Sequence, residues 1–325
     1  MHIWVPRTKI VENTREELMG PRARVGGAYK IVGKLDDGRT RVISDWFPNI
    51  VTNIGLDRWG TAQPVVQCSV GSGSQAVAPA AGDTQLGAWV ADATTNSSVV
   101  YAKKVTSYYY GYGTATFTFA PPGINKTITE VGVGWGSGGT NLFSRAFIKN
   151  SSGVNTSVTW LAEETLYVYY EARMYPNESD HTFSGVVVTG AGTVSGTTRL
   201  MKATDATAGV FWNDAHSLGY PLGPPGSLSI ALHTGTIGTI TSTGPTGTRM
   251  PCTSGVPNAY SPGTYYTSGT ATWGPNDGNG SILALSVWPT VHPYQTSLTF
   301  SPALTKLAGW TLTLNLQGPQ WARYP

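Results

Sequence analysis

Side chains that commonly carry out catalysis are sparse and scattered in this chain of 325 residues. Its five histidines lack the H-x-x-H and H-E-x-x-H spacings that bring two imidazoles to one metal ion. No G-x-S-x-G turn, Walker loop or Rossmann glycine fingerprint follows a strand and opens a helix. The sequence therefore predicts no enzymatic activity, no cofactor and no metal site.

A carboxylate pair would be the other route to catalysis, because many β-proteins cleave sugars with two acids. Glu163 and Glu164 are adjacent, and adjacent residues of a strand point to opposite faces of a sheet. Glu171 and Asp214 are isolated in the sequence. We expect all four to be solvated surface acids.

Two clusters of tyrosine are the more informative signal. The candidate contact residues are Tyr108, Tyr109, Tyr110, Tyr112, Tyr265 and Tyr266. Clustered tyrosines stack on sugar rings, anchor a subunit interface, or fill a core or a strand face. The sequence leaves these three interpretations open.

The composition indicates which elements must position these side chains. Charged residues make up only 12% of the chain, whereas aromatic residues make up 11% and glycine contributes 40 residues. This composition is typical of many short strands joined by tight turns. With short strand spacing and no long amphipathic helix, it predicts an all-β chain of antiparallel sandwiches, less than about a tenth helical.

A strand pattern occurs twice and in the same order. GTATF at 113–117 matches GTATW at 269–273, and T-x-L-A-x-x-T-L begins at both Thr159 and Thr305. Such self-similarity predicts tandem copies of one fold, the second degenerate, with the second tyrosine cluster at the place of the first. The predicted sandwich modules are residues 51–178 and 179–325.

Residues 1–50 differ from both modules, because they hold 9 of the 21 lysines and arginines. Alternating apolar residues around Asp36-Asp37-Gly38 predict a β-hairpin, which is marginal in water unless it packs on something. We interpret the segment as a docking arm for assembly, or as an accessory hairpin on the first module. The candidate docking residues are Lys30, Lys34, Arg39, Arg41 and Trp46.

The arm interpretation has a consequence for truncation. The repeat begins only after residue 50, so we expect neither module to need the arm to complete a sandwich. A chain starting near Asn49 should then fold cooperatively and fail to assemble.

Charge and apolar content bear on the partners. A net charge of +3, spread along the chain, does not predict a nucleic-acid partner. No run approaches the ~20 apolar residues of a membrane helix, and residues 1–7 do not resemble a secretory signal. We expect Cys68 and Cys252 to be free thiols of a chain folded in a reducing cytosol.

Residues 49–176 resemble a β-module that recurs in virion proteins of tailed bacteriophages. The matching motifs, which are packing and turn motifs, are VTNIGL (51–56), VGSGS (70–74), DTQL (83–86), ITEVGVGW (128–135), LFSRAFI (142–148) and the stretch 166–176. The motifs name no functional residue, so the resemblance transfers none.

The resemblance implies a structural tail or baseplate protein, without enzymatic activity, that forms a symmetric homo-oligomer and docks through residues 1–50. Its implied partners are other virion proteins, and its implied location is the virion tail, after assembly in the host cytoplasm. A tail-fibre module that binds a receptor or host surface glycan through its aromatics is the alternative. A capsid decoration protein is a further structural option, and the lack of paired acids disfavours a sugar-degrading tailspike.

Overall fold

The computed structural model describes eleven ranges of the chain, and every structural statement below refers to them. They are residues 10–12, 22–94, 100–104, 110–176, 179–188, 192–202, 228–239, 244–266, 268–289, 294–317 and 320–325. These ranges hold 23 strands and one helix of seven residues, α1 (Asn53–Trp59). The prediction of an all-β chain is confirmed. No helix in the described ranges is long and apolar enough to cross a membrane.

The strands up to the predicted module boundary alternate with short turns. In chain order they are β1 (Ile10–Glu12), β2 (Arg22–Leu35), β3 (Thr40–Pro48), β4 (Ile50–Val51), β5 (Gln67–Gly71), β6 (Trp89–Thr94), β7 (Val100–Lys104), β8 (Tyr110–Phe119), β9 (Lys126–Ile128), β10 (Glu130–Gly134), β11 (Leu142–Phe147), β12 (Val158–Trp160) and β13 (Glu164–Pro176).

Ten strands follow that boundary. They are β14 (His181–Val188), β15 (Gly192–Lys202), β16 (Leu228–His233), β17 (Arg249–Pro251), β18 (Ser254–Pro257), β19 (Ser268–Trp273), β20 (Gly280–Pro289), β21 (Tyr294–Lys306), β22 (Thr311–Gln317) and β23 (Gln320–Arg323).

Two separate apolar cores organise these strands. The first is shared by the sheet β4-β11-β10-β5-β6 and the sheet β23-β2-β13-β8-β7, with Phe117, Phe143 and Tyr170 fully buried. The second is shared by the sheet β14-β15-β21-β20-β16-β17 and the sheet β1-β22-β19-β18, around Trp273 and Leu314. The tandem sandwich arrangement itself stays a prediction, which the two cores support.

The sequence repeat has a counterpart in strand topology. In the first half, β5 pairs with β6 and β10, β10 with β11, and β8 with β7 and β13, all antiparallel. In the second half, β16 pairs with β17 and β20, β20 with β21, and β19 with β18 and β22, also antiparallel. The neighbours therefore occur in the same order along the chain in both halves.

The strand pair β8–β13 matches the pair β19–β22 in sequence, but the registers of the two pairs differ by an even number of residues. Phe117 lies opposite Val168, whose sequence equivalent is Leu314, but the matching Trp273 lies opposite Leu312 (314 − 312 = 2). Because side chains alternate with a period of two, this slip keeps each apolar residue on the core face. Phe117, Val168, Trp273 and Leu312 are all buried.

Helix α1 closes one end of the first core. The Thr52 side chain caps the helix by accepting a hydrogen bond from the Gly55 backbone N–H at 2.9 Å. Gly55 is needed because a Cβ there would lie 2.4 Å from the Phe143 carbonyl oxygen. This close approach lets Trp59 stack on the Phe143 ring at 5.6 Å.

The expectation that the first module can form without the predicted arm is wrong. Strand β2 pairs with β13 along thirteen residues, from Leu35 opposite Glu164 to Ala23 opposite Pro176, so it lies inside the sheet. Tyr29 and Ile31 are completely buried in the first core. The hairpin β2–β3 is thus part of that module, and a sequence pattern of one hairpin could not show this distant pairing.

Two short strands connect the halves of the molecule. β1 pairs in parallel with β22 of the second half, although the next strand in the chain, β2, belongs to the first. β23 follows the second half in the chain and pairs in parallel with β2. Chain segments from outside each half therefore complete its sheet.

Trp321 of β23 is the side chain that fastens this connection. It is 2% exposed, donates from Nε1 to the Leu56 carbonyl at 2.9 Å, and lies in the first core. Its backbone N–H donates to the Tyr265 carbonyl at 2.8 Å. A Cβ at Gly60 would lie 2.7 Å from the indole ring, so that glycine makes room for it.

We predict that a chain beginning at Asn49 does not fold its first module. The truncation removes β2, so β13 loses its whole partner on one side and the core loses Tyr29 and Ile31. Loss of cooperative unfolding in a urea titration of the purified fragment is the expected result. A fragment as cooperative as the full chain would restore the arm interpretation.

We predict that Trp321→Ala lowers the free energy of unfolding by about 3–5 kcal/mol, as expected for removal of a buried tryptophan. Trp46→Ala is the matched control, because Trp46 is 41% exposed and its loss should cost less than about 0.5 kcal/mol. Equal urea midpoints for the two variants would contradict the role of Trp321.

Candidate functional site

The outer side of the sheet β2–β13–β8 carries a row of tyrosines. Along β13, Leu166, Val168 and Tyr170 are buried, whereas the alternating Tyr167 and Tyr169 are half-buried on the opposite side. We call this surface the tyrosine face. It consists of Tyr110, Tyr112, Tyr167, Tyr169, Tyr175 and Tyr324.

The rings at one end of the tyrosine face contact each other. Tyr175 stacks on Tyr324 with ring centroids 3.9 Å apart and lies 5.1 Å from Tyr110, which is 5.7 Å from Tyr112. The Arg173 guanidinium lies 5.3 Å from the Tyr110 centroid and 2.5 Å from Glu171. The end is therefore aromatic, and its two charges are paired within the chain.

Burial shifts the titration of this end of the face. Partial burial raises the pKa of Tyr112, and the neighbouring Glu171 carboxylate raises it further. Partial burial likewise raises the pKa of Tyr175, against the opposing effect of its hydrogen bond with Arg173. Both phenols stay neutral hydrogen-bonding groups at neutral pH.

The predicted tyrosine candidates fall into three places. Tyr110 and Tyr112 lie on β8 in the tyrosine face. Tyr108 and Tyr109 lie outside the described residues. Tyr265 and Tyr266 lie in the loop before β19 and not on a strand. The prediction that they occupy the place of the first cluster is therefore wrong in the structure, although the two clusters have matching positions in the sequence repeat.

The loop of the second cluster is held against α1 of the first module. Asp57 Oδ1 accepts from the Tyr260 hydroxyl at 2.7 Å and from the Gly263 backbone N–H at 2.6 Å. Burial raises the pKa of Tyr260, and the hydrogen bond with Asp57 raises it further. The Tyr260 ring also stacks on Trp321 with centroids 5.9 Å apart, so this loop joins the two modules.

A cleft of about 360 Å³ opens beside this loop. We call it the polar cleft. It is lined by Asn258, Ala259, Ser261, Thr264, Tyr266, Ser268, Asn315 and Leu316. Five of these eight residues carry hydroxyl or amide groups on short side chains, and a sixth is a tyrosine. Single-sequence patterns could not locate the cleft, because a loop conformation creates it.

The predicted docking residues are divided between internal ion pairs and the exposed side of the hairpin. Lys30 lies 3.1 Å from Asp45, and Arg39 lies 2.6 Å from Asp37. Lys34 and Trp46 are exposed. Arg41 is committed to an internal contact with Glu164, which raises the pKa of its guanidinium.

The expectation that Glu164 is a surface acid is wrong. Its carboxylate is completely buried and accepts two hydrogen bonds from Arg41, at 2.6 and 2.7 Å. Gly33 on β2 provides the space, because a Cβ there would lie 1.8 Å from Glu164 Oε1. Glu163 is exposed and Glu171 half-buried, whereas Asp214 lies outside the described residues.

A second buried ion network was not foreseen from the sequence. Glu130 is completely buried, and its Oε2 lies 2.6 Å from Nη2 of Arg145, whose Nη1 lies 2.6 Å from Asp83. The other Glu130 oxygen accepts from the backbone N–H groups of Gly73 and Ala88. The only sign of this network in the sequence was that Asp83, Glu130 and Arg145 lie in motifs that resemble those of a phage β-module.

The remaining titratable groups do not form a reactive set in the described part of the chain. His233 Nε2 lies 2.8 Å from Ser286 Oγ, and burial lowers the pKa of the imidazole. Ser286 is completely buried on β20, out of reach of a substrate. Cys68 is buried and Cys252 half-buried, and both are free thiols. No described group of three histidine, cysteine or acidic side chains could hold a metal.

Comparisons of the chain with protein-family models, curated proteins and solved structures gave no match.

We predict that Arg145→Met lowers the free energy of unfolding by about 3–5 kcal/mol, because it leaves Glu130 as an unpaired buried charge. The double variant Glu130→Gln/Arg145→Met should recover part of this loss, since it removes both charges. Denaturant titrations of the wild type, the two single variants Arg145→Met and Glu130→Gln, and the double variant measure the coupling.

Arg199→Met is the matched control for this pair. Arg199 contacts Asp180 at 2.5 Å in a more exposed setting, where an ion pair contributes only about 0–1 kcal/mol. If Arg145→Met cost no more than this control, the buried network would be unimportant for stability.

Proposed function

We propose that this chain is a structural component of a bacteriophage tail or baseplate and works as a symmetric homo-oligomer. In this proposal it assembles in the host cytoplasm and stays in the virion, bound to other tail or baseplate proteins. The observation that carries the proposal is the tyrosine face. The resemblance of residues 49–176 to a virion β-module supplies the biological setting.

The chemistry of the tyrosine face suits a protein interface. Tyrosine is enriched at interfaces and among the residues that dominate binding, because it buries a large ring and keeps a hydroxyl for hydrogen bonding. Charges are depleted at interface centres, and the charges of Lys30, Glu171 and Arg173 are already paired within this chain. A second copy could therefore cover these three side chains without leaving an unpaired ion among them.

The size of the face is also sufficient. β13 has thirteen residues and spans about 43 Å at ~3.3 Å per residue. The five strands of the sheet hold 46 residues, and at ~4.8 Å between strands they cover roughly 700 Å². A stable complex typically buries about this area on each partner.

We propose that residues 1–50 bind other virion proteins through a smaller surface than the predicted arm would offer. Since β2 is part of the first module, the surface available for docking is the exposed side of the hairpin rather than a detachable arm. Strand β3 presents Val42 and Trp46, 60% and 41% exposed, beside the exposed Lys34. A partner bound to this side of the hairpin would cover these two apolar side chains.

We predict that Tyr112→Ala and Tyr169→Ala each weaken self-association by about 1–3 kcal/mol, the range for interface anchors. Both side chains lie on the outer side of the sheet, so their removal should leave the core packing intact. Sedimentation equilibrium of the full chain measures the association constant, and circular dichroism checks the fold.

Trp89→Ala is the matched control, because Trp89 is also a large exposed aromatic residue but lies on β6 in the other sheet. It should leave the association constant unchanged. A monomeric wild-type chain, or an oligomer as stable in both tyrosine variants as in the control, would contradict the proposed assembly.

A further inference from the structure

The polar cleft combines one aromatic ring with short polar side chains. Tyr266 supplies the ring, Leu316 is a buried apolar residue of the lining, and the other polar groups are hydroxyls and amides. Its volume of about 360 Å³ lies within the ~300–1,000 Å³ range of small-molecule sites. The volume is therefore sufficient for a small ligand, and the lining is more polar than that of most such sites.

Hydrogen bonds fix the polar groups of the cleft before any ligand arrives. Asn258 Nδ2 donates to Ser268 Oγ at 2.9 Å, and the Asn258 backbone N–H donates to the Ser268 carbonyl at 2.8 Å. On the neighbouring strand, Asn315 Oδ1 accepts from Thr270 at 2.9 Å. Both amides are therefore oriented, which lowers the entropy cost of binding.

The loop that carries Tyr266 is held in a strained conformation. Tyr265 has a φ of +54°, in the left-handed region that non-glycine residues seldom adopt. Its carbonyl accepts the Trp321 backbone N–H, and Asp57 anchors the same loop through Gly263. Strain of this kind persists only where surrounding contacts enforce it, and it is concentrated at functional sites.

The lining residues restrict the chemical class of the ligand. None of the eight has a formal charge, so the cleft offers no partner for an ionised ligand. A wholly apolar ligand would leave the amides and hydroxyls without hydrogen bonds, at a cost in free energy. Sugar hydroxyls both donate and accept, as these side chains do, and the apolar face of a sugar ring stacks on an aromatic ring.

We propose that the polar cleft is a binding site for a neutral saccharide, with Tyr266 as the stacking ring and Asn258 and Asn315 as the hydrogen-bonding residues. This binding activity goes beyond the proposed structural function. It uses residues of the second module, none of which belongs to the tyrosine face.

Saturation-transfer NMR on the full-length protein tests the proposal with a defined set of probes. The neutral probes are oligosaccharides of glucose, galactose and N-acetylglucosamine, and a sialylated oligosaccharide is the charged comparison. We expect transfer to at least one neutral probe and none to the charged one. Absence of transfer to every neutral probe at millimolar concentration would overturn the proposal, as would a preference for the charged probe.

Variants then assign the binding to the cleft. Tyr266→Ala should lower the affinity for the bound probe at least about tenfold in calorimetry, whereas Tyr266→Phe, which keeps the ring, should retain more of the affinity. Asn258→Ala should also weaken it, and this exposed side chain gives a result even if Tyr266→Ala does not fold. Unchanged affinity in both alanine variants would overturn the assignment.

Thr313→Ala is the matched control, because Thr313 lies on β22 two residues before Asn315 and does not line the cleft. It should bind the probe as the wild type does. The oligomer mass is measured in parallel, so that loss of saccharide binding with an intact oligomer is distinguished from failure of the proposed assembly.

Discussion

The ion network around Arg145 is the constraint on which the first module depends. Its guanidinium lies between the completely buried Glu130 and Asp83, and Glu130 also accepts hydrogen bonds from a glycine-rich loop. A buried carboxylate is costly unless its charge and lone pairs are satisfied, so every partner must be in place. Glycine is required at 71 and 73, since a Cβ would lie 2.7 and 2.2 Å from Glu130. Four of the six motifs that resemble those of a phage β-module thus meet at one buried charge.

A second arginine pairs with a buried carboxylate in this module, and this ion pair holds the hairpin β2–β3 against β13. Arg41 on β3 reaches across β2 to the buried Glu164 on β13, over the space left by Gly33. It also donates to the Thr159 carbonyl at 2.7 Å. Of the nine basic residues in the predicted docking arm, residues 1–50, Lys30, Arg39 and Arg41 therefore form ion pairs within the chain. The two surfaces proposed for binding, the tyrosine face and the polar cleft, carry mainly aromatic, hydroxyl and amide groups.

Local sequence patterns correctly predicted the strands, because strand formation depends on the alternation of neighbouring side chains. Alternation of apolar residues indicated strands such as β8 and β13, and the repeated pattern has its counterpart in the duplicated strand pairings. Long-range pairing was invisible, because nothing in the alternation of β2 says that β13 is its neighbour. Burial of Glu164 escaped prediction for the same reason, because Gly33, which leaves space for its carboxylate, lies on a strand distant in the sequence. Tyr110 and Tyr112 were identified as candidates from sequence, but the cleft around Tyr266 depends on a loop conformation.

The position of Trp321 has a consequence for how the molecule is made. This side chain completes the first core, yet the ribosome adds it after all the strands of the second core. Domains usually fold in order as they emerge, but here the first core lacks Trp321 until the strands of the second core have been made. Residues 22–25 of β2 likewise lack their partner strand until β23 is made. Maturation of the two halves is therefore linked in time, and a chain released early would be left with an unfinished first core.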